Sequence, residues 1–192
     1  MINQLMSLYK SIFSGVERLA EPWLLPTLSR FVFAAVLFYY FYQSGVSKVD
    51  FGNGIFGFLK PTDGGFVQIF PKAAEAVFYD ITQASFFQKL VIVGGGWAEI
   101  LLPIMVVIGL LTRLAGVGMI GFVVVQSLTD LYGHGGIAHK ETLGVWFDQF
   151  SNSAILDQRA FWMLLFVVLI VRGAGPISVD ALLGLNKKPV AA

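Results

Sequence analysis

The stretch GGGWAEILLPIMVVIGLLTR, Gly94 to Arg113, decides the fold. Apart from Glu99 and the terminal arginine it is a run of hydrocarbon and small side chains. It is long enough as a helix to cross a bilayer core of ~30 Å, which takes ~20 residues. A carboxylate near the middle of such a span costs at least ~2.5 kcal/mol, so Glu99 needs a neutral form, a partner or a polar cavity. Gly95 and Gly96 lie four and three residues before it, on the same helical face, and allow another helix to approach closely. Pro103 lies four residues after it and cannot donate to the Glu99 carbonyl. Irregular backbone of this kind is tolerated at membrane depth only against protein or a wet cavity, so Glu99 is expected to face the interior of a bundle.

The rest of the chain supplies that bundle. Of its 192 residues 56% are hydrophobic and 13% charged, and its mean hydropathy is +0.74, too little polar surface to coat a soluble globule of this size. We expect an all-α fold, an integral membrane four-helix bundle with spans near 28–47, 90–111, 114–131 and 155–172. The fourth is apolar only over 160–171. It is expected to reach upstream through AILDQ, with Arg159 snorkelling or paired inside the bundle. Residues 2–20 carry Ile2, Leu5, Met6, Tyr9, Ile12, Phe13, Val16 and Leu19 at helical spacing with polar residues between. This predicts an extra N-terminal amphipathic helix lying at the interface or docked on a partner, stopped by Pro22 and Pro26. The organisation is then 1–25 interfacial helix, 26–186 four-span domain and 187–192 cytoplasmic tail.

Two longer segments join the spans. Val49 to Lys89 is rich in glycine, proline and phenylalanine, and predicts turns with one short helix near 73–82, folded against the membrane or a partner. Tyr132 to Gln158 is similar. Lys10, Arg18, Arg30, Arg113, Arg172, Lys187 and Lys188 gather at the N-terminus, the 2–3 turn and the tail. The long segments are richer in acids, so both termini are expected in the cytoplasm. No basic run suggests nucleic acid. The absence of cysteine removes thiol chemistry, iron–sulfur clusters and covalent haem, so any redox cofactor must come from elsewhere.

Polar partners for Glu99 are sought at matching depth. Tyr39, Tyr40 and Gln43 on the first span and Gln126 on the third are the candidates for a shared polar or quinone pocket. Gln126 and Asp130 share one helical face, as do Tyr40, Ser44 and Lys48. Two readings stay open: these groups only lock helices together, or they form a protonatable site touching a quinone or a proton path. The aromatic run Phe38 to Tyr42 could stack on a quinone ring or serve as packing bulk. His134 and His139, with Glu141 nearby, lie among glycines that imply a loop rather than a fixed ligand face, so solvated histidines are expected rather than a metal. The glycine patterns GNGIFGF and GVGMIG follow no strand and are not dinucleotide fingerprints. The arginines and lysines at the span ends read as topology anchors, with anionic lipid as the sharper alternative.

SGVSK (Ser44 to Lys48), WAEILLPIMVVIGLLTR (Trp97 to Arg113) turning into LAGVGMIGFVVVQS, and GPISVDALL (Gly175 to Leu183) together resemble the DoxX family of small bacterial and archaeal membrane proteins. The resemblance covers about half the chain. It implies a four-helix bundle in the bacterial inner membrane and, in some relatives, a subunit of thiosulfate:quinone oxidoreductase or of oxidoreductase assemblies handling oxidative stress. The positions matching its motifs are Gly45, Lys48, Glu99, Gly109, Arg113 and Asp180. Lys48, Pro103, Arg113 and Asp180 are expected in structural roles. The chain departs from the pattern by its N-terminal helix, its Val49 to Lys89 insertion and its lack of cysteine, which weakens a sulfur-transfer role. The expectation is a non-catalytic accessory subunit of a larger respiratory or photosynthetic membrane complex, with no cofactor of its own. The alternative is a quinone-interacting subunit of an oxidoreductase complex, with a bound quinone near Glu99. Its partners are then the lipid membrane and other subunits.

Overall fold

A computed structural model describes residues 2–52 and 54–186; the expected tail, with Lys187 and Lys188, lies outside the described residues. Four helices are long and apolar enough to cross a membrane: α2 (Leu24–Lys48), α5 (Phe86–Ile108), α6 (Thr112–Gly133) and α8 (Ala154–Arg172). They are preceded by α1 (Ile2–Ala20). The connections add α3 (Asp63–Ile69), α4 (Pro71–Ala76), α7 (Lys140–Leu143) and, after the last span, α9 (Val179–Leu182). The protein is a multi-pass, all-α membrane bundle.

The spans form a ring in which α2 packs on α5, α5 on α6, α6 on α8 and α8 back on α2. Glycines set the spacing. A Cβ on Gly45 would lie 2.7 Å from the Gly96 carbonyl oxygen, and one on Gly96 would lie 2.8 Å from Val49. Gly118 and Gly116 play the same part against Leu102 of α5 and Ile170 of α8. Lipid tails are as apolar as the helices, so association depends on such close packing rather than on expulsion of water. The centre of the bundle is filled by Phe33, Leu37, Phe41, Val106, Met119, Val123, Phe166 and Leu169. Phe41 meets Phe122 and Trp162 edge-on, at centroid distances of 6.1 and 5.7 Å.

Two side chains bind the short-turn end together. Gly109 ends α5 with φ +71°, Leu111 is also left-handed at φ +46°, and α6 starts at once. Asp180, from the segment after α8, accepts the backbone N–H groups of Leu111 (2.6 Å) and Thr112 (2.9 Å). It thereby satisfies orphan donors of the α6 N-terminus in the manner of a capping residue. Arg30 of α2 donates to the carbonyls of Val106, Val107, Ala174 and Ile177. These include two of the last carbonyls of α5, where a cation also meets the negative end of the helix dipole. Arg30 is thus more than a topology anchor.

Several boundaries differ from expectation. Pro26 does not stop α1; it sits in the first turn of α2, where its missing N–H has no intrahelical role. The helix expected near 73–82 is replaced by α3 and α4, and the chain leaves α4 through Phe78 and Tyr79 at φ +53° and +67°, which no helix can carry. Beyond them Thr82 donates through its hydroxyl and its amide to Asp80, holding that carboxyl below the usual carboxylate range. The fourth span does extend through AILDQ, as a single wide turn over Ala154–Gln158. Similar wide turns occupy Phe33–Leu37 and Thr129–Gly133, and each shifts the helix face by part of a turn.

α1 buries none of its residues. Ile2, Leu5, Tyr9, Ile12 and Leu19 are all more than half exposed, as suits a helix whose apolar face lies in the headgroup region. Next to it, Arg172 at the end of α8 pairs with Glu21.

Candidate functional site

Glu99 lies just past the middle of α5 and is buried at 2% exposure. It is turned inward toward α2. Lys48, the last residue of α2, is buried at 4% and places its Nζ 2.6 Å from Glu99 Oε2. The same Nζ donates to the Ser44 carbonyl (3.1 Å) and to the Ser44 hydroxyl (2.6 Å), which accounts for all three ammonium protons. The Ser44 hydroxyl donates in turn to Glu99 Oε1 at 3.0 Å. Both carboxylate oxygens therefore hold a partner, and the charges cancel at one point within the bundle.

The geometry follows from the glycine contact. Because Gly45 and Gly96 touch, Ser44 and Lys48 stand directly across from Glu99, three residues beyond Gly96. The segment after α2 then closes over the pair. The Thr62 amide donates to the Lys48 carbonyl (3.1 Å) and the Thr62 hydroxyl to that of Ser47 (2.6 Å). A Cβ on Gly65 of α3 would lie 3.0 Å from Lys48 Cα. α3 is consequently a roof resting on the lysine backbone.

Beside the pair lies a cavity of about 260 Å³ between α2, α5 and α6. Its polar lining comprises Tyr40, Ser44, Lys48, Glu99, Gln126 and Asp130, with Gln68 of α3 and His134 at the loop end; Ile69, Val91, Phe122 and Val125 supply apolar wall. Gln126 Nε2 donates to the Tyr40 hydroxyl at 2.7 Å, while its Oε1 is buried without a hydrogen-bond partner among the described residues. Asp130, in the wide turn of α6, pairs with Arg159 of α8. Arg159 also donates to the Ser127 hydroxyl (2.8 Å) and lies 5.9 Å from the Trp162 ring centre. It is the arginine that the sequence placed beside or inside the bundle, and it is paired there at 6% exposure.

Of the pocket residues expected, the structure brings Glu99, Tyr40 and Gln126 to one cavity. Tyr39 and Gln43 do not join them. Tyr39 is 69% exposed and Gln43 is exposed, because the face toward α5 and α6 runs through 40, 44 and 48, and each neighbour is rotated about 100° away. Lys48 is a partner of Glu99 in addition to being a span-end residue. Pro103 is buried within a helix that continues past it. Asp180 caps α6, and Arg113 is exposed at the opposite end of the bundle. His139 lies 3.6 Å from Glu141 at the surface, and no group of three or more metal-binding side chains occurs among the described residues.

The Lys48 to Glu99 contact was within reach of the sequence, since Tyr40, Ser44 and Lys48 form a polar line on an apolar helix. Depth concealed it: a lysine at the end of one span meets an acid in the middle of another, because α5 begins several turns beyond the end of α2. No protein-family model, curated protein or solved structure matches this chain.

Proposed function

We propose that the protein is a quinone-interacting membrane subunit of an oxidoreductase complex whose redox cofactors reside on other subunits. The observation that carries this reading is the cavity beside the Lys48 to Glu99 pair. It combines the Tyr40 hydroxyl, whose own proton is not given to the Gln126 amide, the buried Gln126 Oε1 with no partner among the described residues, and apolar walls at membrane depth. A quinone head is a flat apolar ring with an oxygen at each end, accepting when oxidised and donating when reduced. A volume of about 260 Å³ falls just under the ~300 Å³ at which drug-sized ligand pockets begin, in keeping with one substituted ring whose tail leaves into lipid. Tyr40 and Val125, 45% and 61% exposed, line the side through which such a tail would pass. The similarity of the motifs around Lys48, Glu99 and Asp180 to the DoxX family supports the same reading, with residence in a bacterial inner membrane and both termini in the cytoplasm. The absence of cysteine argues against sulfur transfer by this chain itself.

The test is the quinone content of protein extracted in mild detergent. The wild-type chain is expected to retain quinone near one per protein, and Tyr40→Phe and Glu99→Gln to lose most of it. Wild-type protein that carries none, and whose tryptophan fluorescence is unchanged by added short-chain quinone, would refute the reading.

A second reading, a non-catalytic accessory subunit holding together a larger respiratory or photosynthetic complex, is favoured by α1, which exposes its apolar face along its length. Stoichiometric retention in a large complex, unaffected by Tyr40→Phe and Glu99→Gln, would favour it over the first.

A further inference from the structure

Gln126 ends an apolar stretch of α6 that runs from Leu114 to Val125, and Tyr40 stands on the polar line of α2. The two meet in the lining of the bundle cavity. Gln126 Nε2 donates to the Tyr40 hydroxyl oxygen at 2.7 Å, so the phenolic proton points elsewhere, and no other hydrogen bond of that hydroxyl occurs among the described residues. Gln126 Oε1 is buried and likewise has no partner there. The oxygen and nitrogen of an amide share one carbon, so a free donor and a free acceptor stand side by side on this wall. The other polar groups of the lining face protein. Lys48 turns its three protons to Ser44 and Glu99, and the Ser44 hydroxyl donates to Glu99. The Gln68 amide donates to the Ser47 hydroxyl, the Thr129 hydroxyl donates to the Val125 carbonyl, and Asp130 is held by Arg159.

We infer that Tyr40 and Gln126 select the reduced, hydroxyl-bearing form of the quinone over the oxidised form, an inference that rests on the quinone reading above. A quinol hydroxyl both accepts and donates. Seated beside Tyr40, it accepts the phenolic proton and gives its own to Gln126 Oε1; with the existing bond from the amide to the tyrosine, the three groups close a ring of hydrogen bonds. A quinone carbonyl only accepts. It satisfies Tyr40 but leaves Oε1 buried without a donor, the arrangement in which a polar group costs most. Turning the amide over exchanges the roles without changing the match: Nε2 becomes the free donor and the tyrosine oxygen the free acceptor, and a group that does both still fits better than one that only accepts. Tighter binding of the reduced form pulls the bound couple toward it, so each tenfold of preference raises its two-electron midpoint potential by about 30 mV. A quinone in this cavity is therefore readier to take up electrons than one free in the bilayer.

The experiment is equilibrium dialysis of the full-length protein in mild detergent, with oxygen excluded and protein-free micelles as the blank, against ubiquinone-1 and its quinol in turn. The quinol is expected to bind about tenfold more tightly or better, and its dimethyl ether, which has no hydroxyl to donate, to bind no better than the quinone. Gln126→Met keeps the length of the side chain without the amide, and should bring the two affinities within about twofold while the quinone stays bound through Tyr40. Equal affinities in the wild type, a tighter quinone, an ether that matches the quinol, or a preference that survives Gln126→Met would overturn this inference and leave the quinone reading standing. If neither form binds, that reading falls and this one falls with it.

Discussion

Removing either member of the Lys48 to Glu99 pair strands the other. A lone buried charge costs ~3 to 5 kcal/mol, whereas replacing both members by apolar residues of similar volume is often neutral. Lys48→Met and Glu99→Leu are each expected to lower the unfolding free energy in detergent by that order, and the double variant to recover most of it. A double-mutant cycle on thermal or denaturant unfolding checks this, and additive losses would mean that the two charges do not depend on each other. Asp180 stands apart from this chemistry. Its carboxylate holds the backbone N–H of Leu111 in the turn and of Thr112 at the start of α6, so Asp180→Ala should cost ~1 to 2 kcal/mol in denaturant unfolding, with no coupling to Lys48→Met in a double-mutant cycle.

Among the elements, the α2 to α5 contact is the least forgiving. The atom that a Gly45 side chain would strike is the backbone oxygen of Gly96 at 2.7 Å, which cannot rotate out of the way as a side chain could. Gly45→Ala is expected to cost ~1 to 3 kcal/mol and to separate Lys48 from Glu99. Gly121, which meets nothing within 4 Å, should accept alanine without loss, and the pair of unfolding midpoints makes the comparison. The sequence announced these elements because a run such as Leu90 to Leu111 can be little else in a membrane. It also pointed Glu99 inward, since no lipid-facing position tolerates a carboxylate cheaply. It did not reveal which residue lay opposite, because helix stagger is set by glycine contacts and by how far α5 projects past α2. Nor could it reveal that Arg30 reaches four carbonyls in two separate parts of the chain, the end of α5 and the segment after α8.

On the scale of the whole molecule, α1 and the bundle are energetically separate. α1 buries nothing, so deleting residues 2–20 should move the unfolding midpoint by no more than ~2 °C. Any association with larger complexes that runs through this helix should vanish, as native gels of the truncated and full-length forms would reveal. The opposite end of the bundle behaves differently. Arg30 near the start of the first span waits for the carbonyls of Ala174 and Ile177, and the turn before α6 waits for Asp180. All three follow the fourth span in order of synthesis. A chain lacking them would have every span, but the seam at its short-turn end would be unlatched, with the last carbonyls of α5 and the first donors of α6 left unsatisfied. The clasp closes only once the segment after the fourth span is in place.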